Sequence, residues 1–259
     1  MDELLTPIAD KKKRLEELPP LSQEALAKLE HYYDIELTYT SNAIEGNTLS
    51  PVETTLVIEK GITIGGKPLK DHLEALDHYD AIRYVRELAQ QETHLTESDV
   101  RNLHKLVMQR SAPENGGQYA NLPRFVRTER GRHTFPSPAE IPALMGDFVR
   151  WLGTAPNTPD TAFAAHRRVV DIHPFNDGNG RTARLLMNLV LIRAGYPPIA
   201  VRPEDRLAYI RSLQLEQSGQ GVDSFNALLY QRLNETMDEY LSALRGALTP
   251  EAKPTKIGS

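Results

Sequence analysis

The sequence contains no cysteine, which excludes disulfide bridges and thiolate metal sites. It also lacks any apolar run near the roughly 20 residues that a membrane-spanning helix needs, so we expect no membrane span. The N-terminal residues Met-Asp-Glu-Leu-Leu lack the basic start that is typical of a signal peptide. Together these absences lead us to expect a protein of the cytoplasm.

The charge balance argues against a general nucleic-acid binder. The chain carries 30 Lys and Arg residues against 35 Asp and Glu residues, and its sequence pI is about 5.9. A cluster of arginines lies between residues 124 and 132, but Glu129 interrupts it, so we interpret the cluster as a solvated hairpin. With 259 residues and 40% hydrophobic content, the chain can bury one sizeable core.

Residues 173–184 carry the most informative pattern in the chain, His-Pro-Phe-Asn-Asp-Gly-Asn-Gly-Arg-Thr-Ala-Arg. Glycines allow backbone N–H groups to turn inward around an anion, and the N-terminus of a following helix adds partial positive charge. Arg181 and Arg184 are three residues apart, so on a helix they share a face and can bind successive phosphates of one ligand. His173 can accept a proton, and Asp177 can bind a divalent metal.

Each piece of this segment also has a simpler explanation. Asp-Gly-Asn-Gly is common in turns, and His173 before Pro174 is compatible with a hydrogen-bonded core histidine. Two arginines on one face, directly before an apolar helix, favour a phosphate site instead. We expect that helix to be buried around its whole circumference, because apolar residues occupy almost every position from 185 to 192. Gly195 is placed to cap it.

A second helix is predicted upstream, with Ser22 as its N-cap and Gly46 as its C-terminal cap. Glu45 lies at the C-terminal end of this helix, where the helix dipole disfavours a carboxylate. We therefore expect Glu45 to need a cationic partner, although a solvated acid is the alternative if this segment is taken alone. The core-facing stripe of the helix comprises Leu26, Leu29, Tyr33, Leu37, Thr40 and Ile44.

Residues 173–184 resemble the signature of the Fic family, His-x-Phe-x-Asp/Glu-Gly-Asn-Gly-Arg-x-x-Arg, with every specified position present. Residues 41–47, Ser-Asn-Ala-Ile-Glu-Gly-Asn, are similar to the family's inhibitory motif, Ser/Thr-x-x-x-Glu-Gly/Asn. The resemblance implies an all-α fold, with a Fic-type helical core and a short β-hairpin flap. It also implies a protein adenylyltransferase, an enzyme that transfers AMP from ATP to a hydroxyl group of a target protein and releases pyrophosphate.

The resemblance assigns roles to residues of this chain. It implies that His173 is the catalytic base, and that a neutral imidazole with an ordinary pKa of about 6.5 serves in that role. The resemblance also implies that glycine at position 180 favours AMP transfer, since Fic relatives that transfer phosphate have a similar motif with lysine at this position. Asp177 is the implied Mg²⁺ ligand, and Arg181 and Arg184 are implied to hold the β- and γ-phosphates. The implied nucleotide-binding residues are Asp177, Gly178, Asn179, Gly180, Arg181, Thr182, Ala183, Arg184, Tyr209 and Gln217.

Two further segments acquire roles from the resemblance. Glu45 is expected to pair with Arg184, so that the arginine cannot hold the γ-phosphate and ATP docks unproductively. The inhibitory residues are Ser41, Glu45, Gly46 and Asn47. A flap is expected to pair its edge with an extended target segment by strand addition. The flap residues are Thr128, Glu129, Arg130 and Gly131. Relatives often have aliphatic residues just before the glycine, where this chain has Thr, Glu and Arg.

The predicted organisation comprises a flexible N-terminal lead over residues 1–21, an N-terminal helical region over 22–95, a Fic core over 96–246 and a disordered tail over 247–259. The expected partners are ATP with Mg²⁺ and a protein target with a Ser, Thr or Tyr hydroxyl, and the resemblance also allows self-modification and a homodimer. Two alternatives stay open. One is the removal of AMP from a modified protein, with Glu45 positioning a water molecule. The other is a regulatory protein that binds the nucleotide as a ligand.

Overall fold

The structure, a computed structural model, describes residues 2–128, 131–221 and 223–248. Within these ranges the fold is all-α, with ten helices and one two-stranded hairpin, as the sequence predicted. Short 3₁₀ turns occur at Pro113–Asn115 and Pro203–Asp205. The helices and strands are α1 (Asp2–Glu16), α2 (Gln23–Ile44), α3 (Pro51–Lys60), α4 (Leu69–Ala89), α5 (Glu97–Val107), β1 (Phe125–Thr128), β2 (Gly131–Thr134), α6 (Ile141–Thr154), α7 (Pro159–Ile172), α8 (Asn179–Arg193), α9 (Arg206–Gln217) and α10 (Asp223–Leu248).

The helix boundaries follow local capping chemistry. The Ser22 hydroxyl accepts a hydrogen bond from Ala25 N at the start of α2. Thr158 caps α7 in the same way, and Pro159 occupies the first helical position, where its missing N–H costs nothing. The C-terminal end of α8 is closed by Gly195, whose φ of 71° is readily available only to glycine.

Helix α8 forms the centre of the hydrophobic core. Its residues from 181 to 191 are all buried, and it packs against α7, α4 and α5. A helix with no solvent-facing side chains needs neighbours on every face, which the surrounding helices provide. The same continuous core includes residues on both sides of the boundary at 95/96, from Ile8 in α1 to Met237 in α10. The segment that carries the signature motif is therefore anchored in the hydrophobic core.

The hairpin lies on the surface above this core. Strands β1 and β2 pair antiparallel, with Phe125 opposite Thr134 and Thr128 opposite Gly131, so a two-residue loop joins them. Thr128 also donates from its hydroxyl to the carbonyl oxygen of Gly131. The predicted flap residues Glu129 and Arg130 lie outside the described residues.

The N-terminal segment differs from the flexible lead that the sequence predicted. Residues 2–16 form α1, which packs against α10. Ile8 is buried, and Lys11 donates to the backbone and side-chain oxygens of Asn234 at 3.0 and 2.6 Å. The sequence of this segment shows no clear apolar stripe, so its helix could not be predicted from periodicity. Packing against α10 explains why the segment is ordered.

Two smaller expectations also need comment. The stripe of α2 reaches the core only in its C-terminal half, because Leu26 is 40% exposed at the N-terminal end of the helix. Most of the predicted disordered tail, residues 249–259, lies outside the described residues. Among the residues that the structure describes, no helix is long and apolar enough to cross a bilayer.

Candidate active site

The loop between α7 and α8 is folded tightly against the core. His173 ends α7 in the left-handed region, with φ 49°, and its amide donates to Val169 O. Ala120 N donates to Pro174 O, and Tyr119 forms a β-bridge with Phe175. A non-glycine residue in this conformation costs free energy, which the surrounding contacts must offset. The strain therefore marks His173 as a residue that the fold holds in one place.

The environment of His173 fixes its proton. Its Nδ1 lies 3.3 Å from the carbonyl oxygen of Val170, which can only accept, so Nδ1 carries the hydrogen and Nε2 keeps a lone pair. Burial lowers the pKa of His173 to about 4, which corrects the ordinary value of about 6.5 that we expected from the sequence. The ring of Phe135 stacks on the imidazole, with centroids 3.9 Å apart and planes 10° from parallel. The imidazole is therefore neutral, oriented and covered on one face.

The N-terminus of α8 presents free backbone donors. Gly178 has φ 73°, and the first helical hydrogen bond runs from Thr182 N to Gly178 O. The amides of Asn179, Gly180 and Arg181 precede that bond, so they have no partner within the helix. They form the concave set of N–H groups that suits a phosphate or carboxylate.

Side chains around the loop keep these amides in place. The Asn179 side chain accepts from Phe175 N at 2.9 Å and donates to Phe175 O at 2.8 Å, which closes the turn. The buried His104 donates from Nε2 to Asp177 O and accepts from Gly117 N, both at 2.9 Å. Its ring stacks on Phe175 with centroids 3.6 Å apart, and burial lowers its pKa to about 4. His104 is thus a neutral support for the loop.

Arg184 is held by the C-terminal end of α2. Its NH2 group donates to Glu45 Oε1 at 2.7 Å and to Ser41 O at 2.9 Å, and its Nε donates to the Ser41 hydroxyl at 2.9 Å. The arginine side chain is 5% exposed, whereas that of Glu45 is 40% exposed. Burial disfavours the charge of Arg184, but Glu45 and Tyr209 outweigh it, so its pKa lies above the ordinary value. The structure thus brings together Ser41, Glu45 and Arg184.

Arg181 lies beside this pair and is also buried. Its NH1 group is 3.4 Å from Glu74 Oε1, and its NH2 group is 3.7 Å from Asp177 Oδ1. The Asp177 side chain is 52% exposed, and its Oδ1 accepts from Gly178 N at 2.6 Å. Two buried cations, a partly solvated carboxylate and a set of backbone donors therefore lie together at the N-terminus of α8.

The outer predicted residues vary in placement. Tyr209 is buried, and its hydroxyl lies 2.7 Å from His166 Nε2 and 3.5 Å from Arg184 NH1. Gln217 donates to Asp171 Oδ1 at 3.4 Å, near the end of α7. Thr182 and Ala183 are fully buried in α8. Gly46 has φ 97°, as its expected cap position requires.

Sequence reasoning missed several residues that fix the end of α2. Arg206 donates from Nε to Ile44 O at 2.7 Å, which places a cation at the C-terminus of the helix. On α4, Asp71 accepts from both the amide and the hydroxyl of Thr48, and Glu74 accepts from the Asn47 side chain at 3.1 Å. The acids of α4 follow no motif, so nothing in the sequence pointed to these contacts.

The model of the Fic/DOC family matches residues 94–191. "Protein adenylyltransferase Fic" of Drosophila melanogaster is 35% identical over 221 residues, which cover 84% of this chain and 44% of the relative. The chain therefore spans less than half the length of the curated relatives it matches. A Fic-domain signaling protein from Bacteroides thetaiotaomicron superposes with a TM-score of 0.83 at 31% identity, covering 94% of this chain and 97% of that one. Fic-1 from C. elegans gives 0.82 at 28% identity, with 95% and 73% covered.

Proposed function

Since the chain belongs to the Fic/DOC family, we propose that it is a protein adenylyltransferase that transfers AMP from ATP to a hydroxyl group of a target protein. The observation that carries the proposal is the position of His173, whose bare Nε2 belongs to the same loop as the free amides of α8 and precedes Arg181 and Arg184. A base, an anion cradle and two cations are what attack of an alcohol on a polyphosphate requires.

In the proposed reaction, the target hydroxyl gives its proton to His173 Nε2. The alcohol oxygen forms a bond to the α-phosphorus of ATP, and the bond between that phosphorus and the bridging oxygen to the β-phosphate breaks. Pyrophosphate leaves with the electron pair of that bond. The amides of α8 and the guanidinium groups of Arg181 and Arg184 neutralise the charge on the phosphates, so the chain contributes position and electrostatics.

We assign the binding of Mg²⁺ to Asp177. Its carboxylate is partly solvated, which suits an ion that prefers oxygen ligands and keeps several water molecules. Among the described residues no group of three or more His, Asp or Glu side chains could form a metal cage, and Mg²⁺ usually needs only one or two carboxylates beside substrate phosphates. When bound, the ion would neutralise phosphate charge.

In this proposal the contact between Glu45 and Arg184 is an intramolecular inhibitor. The carboxylate of Glu45 pairs with the guanidinium group that would otherwise bind the γ-phosphate. The Ser41 hydroxyl accepts a hydrogen bond from the same group and supports this geometry. Arg184 is buried and Glu45 is 40% exposed, so the Coulomb attraction is partly screened by solvent; the charge-assisted hydrogen bond at 2.7 Å and the two hydrogen bonds to Ser41 together hold the guanidinium group in this geometry. ATP binds productively only when the carboxylate leaves.

The test uses ATP labelled at the α-phosphate. We expect the Glu45→Gly variant to incorporate more label into protein than the unmodified chain does, and His173→Ala in the same background to incorporate none. Glu92→Gly is the matched control. It removes the same negative charge, and Glu92 lies in the exposed segment after α4. If Glu45→Gly incorporates no label into itself or into any protein of a cell lysate, AMP transfer is the wrong reaction.

The proposed target is a protein that offers a Ser, Thr or Tyr hydroxyl in an extended segment. A two-stranded hairpin has free backbone donors and acceptors along its outer edges, so strands β1 and β2 can receive such a segment by strand addition. The proposed docking residues are Thr128 and Gly131, at the ends of the two strands, together with Glu129 and Arg130, which lie outside the described residues. Mass spectrometry of the labelled protein identifies the acceptor residue.

A second candidate is the reverse reaction at the same site. Burial is the largest effect on the pKa of His173 and lowers it, whereas the negative charge of Glu45 acts in the opposite direction, so the carboxylate lies within electrostatic reach of the imidazole. In that position Glu45 can orient a water molecule for attack on an AMP-modified side chain. Incubation of an AMP-modified target with the unmodified chain and Mg²⁺, without ATP, separates the two, since release that requires Glu45 favours AMP removal.

A further inference from the structure

Arg181 is a buried cation whose hydrogen-bond donors are largely unused. Its side chain is 2% exposed, and its Nε and NH1 groups have no hydrogen-bond partner within the described part of the chain. The thioether of Met108 lies 3.8 Å from NH2, and a thioether is a weak acceptor. The two neighbouring carboxylates, Glu74 and Asp177, stand at 3.4 and 3.7 Å, beyond good hydrogen-bond distance. A guanidinium group in this state has unused donors for an anion.

Glu74 is the closer of these carboxylates, and it is itself fixed by the inhibitory segment. Its side chain is 9% exposed on α4. One oxygen, Oε1, faces Arg181 and also lies 3.5 Å from the ammonium group of the exposed Lys70. The other oxygen, Oε2, accepts a hydrogen bond from the side-chain amide of Asn47 at 3.1 Å, and the same amide donates to Asp71 O at 3.0 Å.

We propose that Glu74 competes with the phosphates for Arg181: it neutralises the guanidinium group when no phosphate is bound, and Asn47 holds it in that position. The proposal rests on the function proposed above only in that the site binds a polyphosphate. Residues 41–47 then keep both Arg184 and Arg181 from binding phosphate. Glu45 blocks Arg184 directly, and Asn47 blocks Arg181 through Glu74.

The electrostatics favour competition over a permanent support. A phosphate bound at Arg181 would bring negative charge close to the buried carboxylate of Glu74, and like charges in a dry site repel strongly. Lys70 offers the displaced carboxylate a partner at the surface, since its side chain is 61% exposed. A carboxylate that instead served only to orient Arg181 would remain paired with it in the complex and would increase phosphate affinity.

Two substitutions separate the contact of Glu74 with Arg181 from its contact with Asn47. Glu74→Gln removes the negative charge that faces Arg181 but keeps an amide oxygen that can accept from Asn47. Asn47→Ala removes the hydrogen bond and leaves the charge. Both are made in the Glu45→Gly background, so that Arg184 is free in every protein. Glu92→Gln provides the same change in net charge, and Glu92 lies near Arg193 at the far end of α8.

The experiment is calorimetric titration of inorganic pyrophosphate into these proteins, without ATP or a target, so it is independent of whether AMP transfer occurs. We expect Glu74→Gln to lower the dissociation constant about tenfold, because one like charge is removed from a buried site. Asn47→Ala is expected to lower it about threefold by freeing the carboxylate, and to have no effect when Glu74→Gln is already present. Glu92→Gln is expected to leave it unchanged.

Opposite results overturn the proposal. If Glu74→Gln weakens pyrophosphate binding or leaves it unchanged, Glu74 orients Arg181 and does not compete. If Asn47→Ala has the same effect with and without Glu74→Gln, the inhibitory segment does not act through Glu74. Melting curves accompany each titration, and a variant that does not melt cooperatively is replaced by Glu74→Met or Asn47→Leu, to which the same two criteria apply.

Discussion

Gly180 leaves the space that the carboxylate of Glu45 occupies. A Cβ atom added at position 180 would overlap with Glu45 Oε1 and would lie 3.1 Å from Arg184 NH1. The second glycine of the signature therefore does more than expose backbone amides to an anion. It lets the carboxylate of Glu45 approach Arg184 across the first turn of α8.

We expect Gly180→Ala to lower the stability of the protein only when Glu45 is present. Alanine is favoured over glycine in a helix by about 1 kcal/mol, so the substitution by itself does not weaken α8. With Glu45 present, the added methyl group forces the carboxylate away and lowers the melting temperature. In the Glu45→Gly background the same change is expected to be neutral or stabilising. Thermal melts of the four proteins form a double-mutant cycle, and an equal loss in both backgrounds would contradict this account.

The imidazole of His173 is expected to stay neutral in mildly acidic solution. Because burial lowers its pKa to about 4, the imidazole stays neutral across the range in which a solvated histidine, with a pKa of about 6.5, becomes charged. NMR of ¹⁵N-labelled histidine in the Glu45→Gly variant, assigned by comparison with His173→Ala, measures this directly. We expect the Nδ1–H tautomer at pH 5.5. An imidazolium signal at that pH would show that the loop is more open than the structure describes.

Global stability is expected to fall below pH 6.5. Burial lowers the pKa of His78 to about 3 and those of His104 and His173 to about 4, and it lowers the pKa of His166 as well. The folded state keeps these side chains neutral while the unfolded chain binds protons, so stability is present above pH 6.5 and is lost as the pH falls toward 4. Each histidine contributes up to about 1.4 kcal/mol per pH unit. Urea unfolding at pH 7.0 and 5.5 tests the sign, and equal free energies of unfolding would refute it.

Phe135, the residue directly after β2, is expected to hold the imidazole of His173 in place. Phe135 is 5% exposed and stacks on His173, whereas Phe125 on the same hairpin is 50% exposed. In the Glu45→Gly background we expect Phe135→Ala to lower the rate of AMP incorporation about tenfold, because the imidazole loses its lateral support. It is also expected to cost about 3 kcal/mol of stability, as for other buried phenylalanines. Phe125→Ala is the matched control, and an equal loss of rate in both variants would assign the effect to the hairpin as a whole.

Most of the helical framework followed from the sequence because its signals are local. Ser22, Thr158 and Pro159 mark helix starts that depend on only a few neighbouring atoms, and the glycines at 46 and 195 mark ends that need a positive φ. The buried character of α8 was equally legible, since apolar side chains on all sides have no other stable environment. The all-α class and the presence of a hairpin are both confirmed.

The sequence by itself determined the chemistry that the molecule carries: a histidine, an acid, glycines and two arginines at the spacing of a loop and a helix start. The family resemblance led us to expect Glu45 beside Arg184, 139 residues away, but only the tertiary structure placed Glu74, which belongs to no motif, beside Arg181. It also decided the proton affinity of His173, since a pKa depends on burial and on neighbours that come from distant segments. Local rules give the elements and the reactive groups, whereas charge pairing and desolvation arise only when the helices pack.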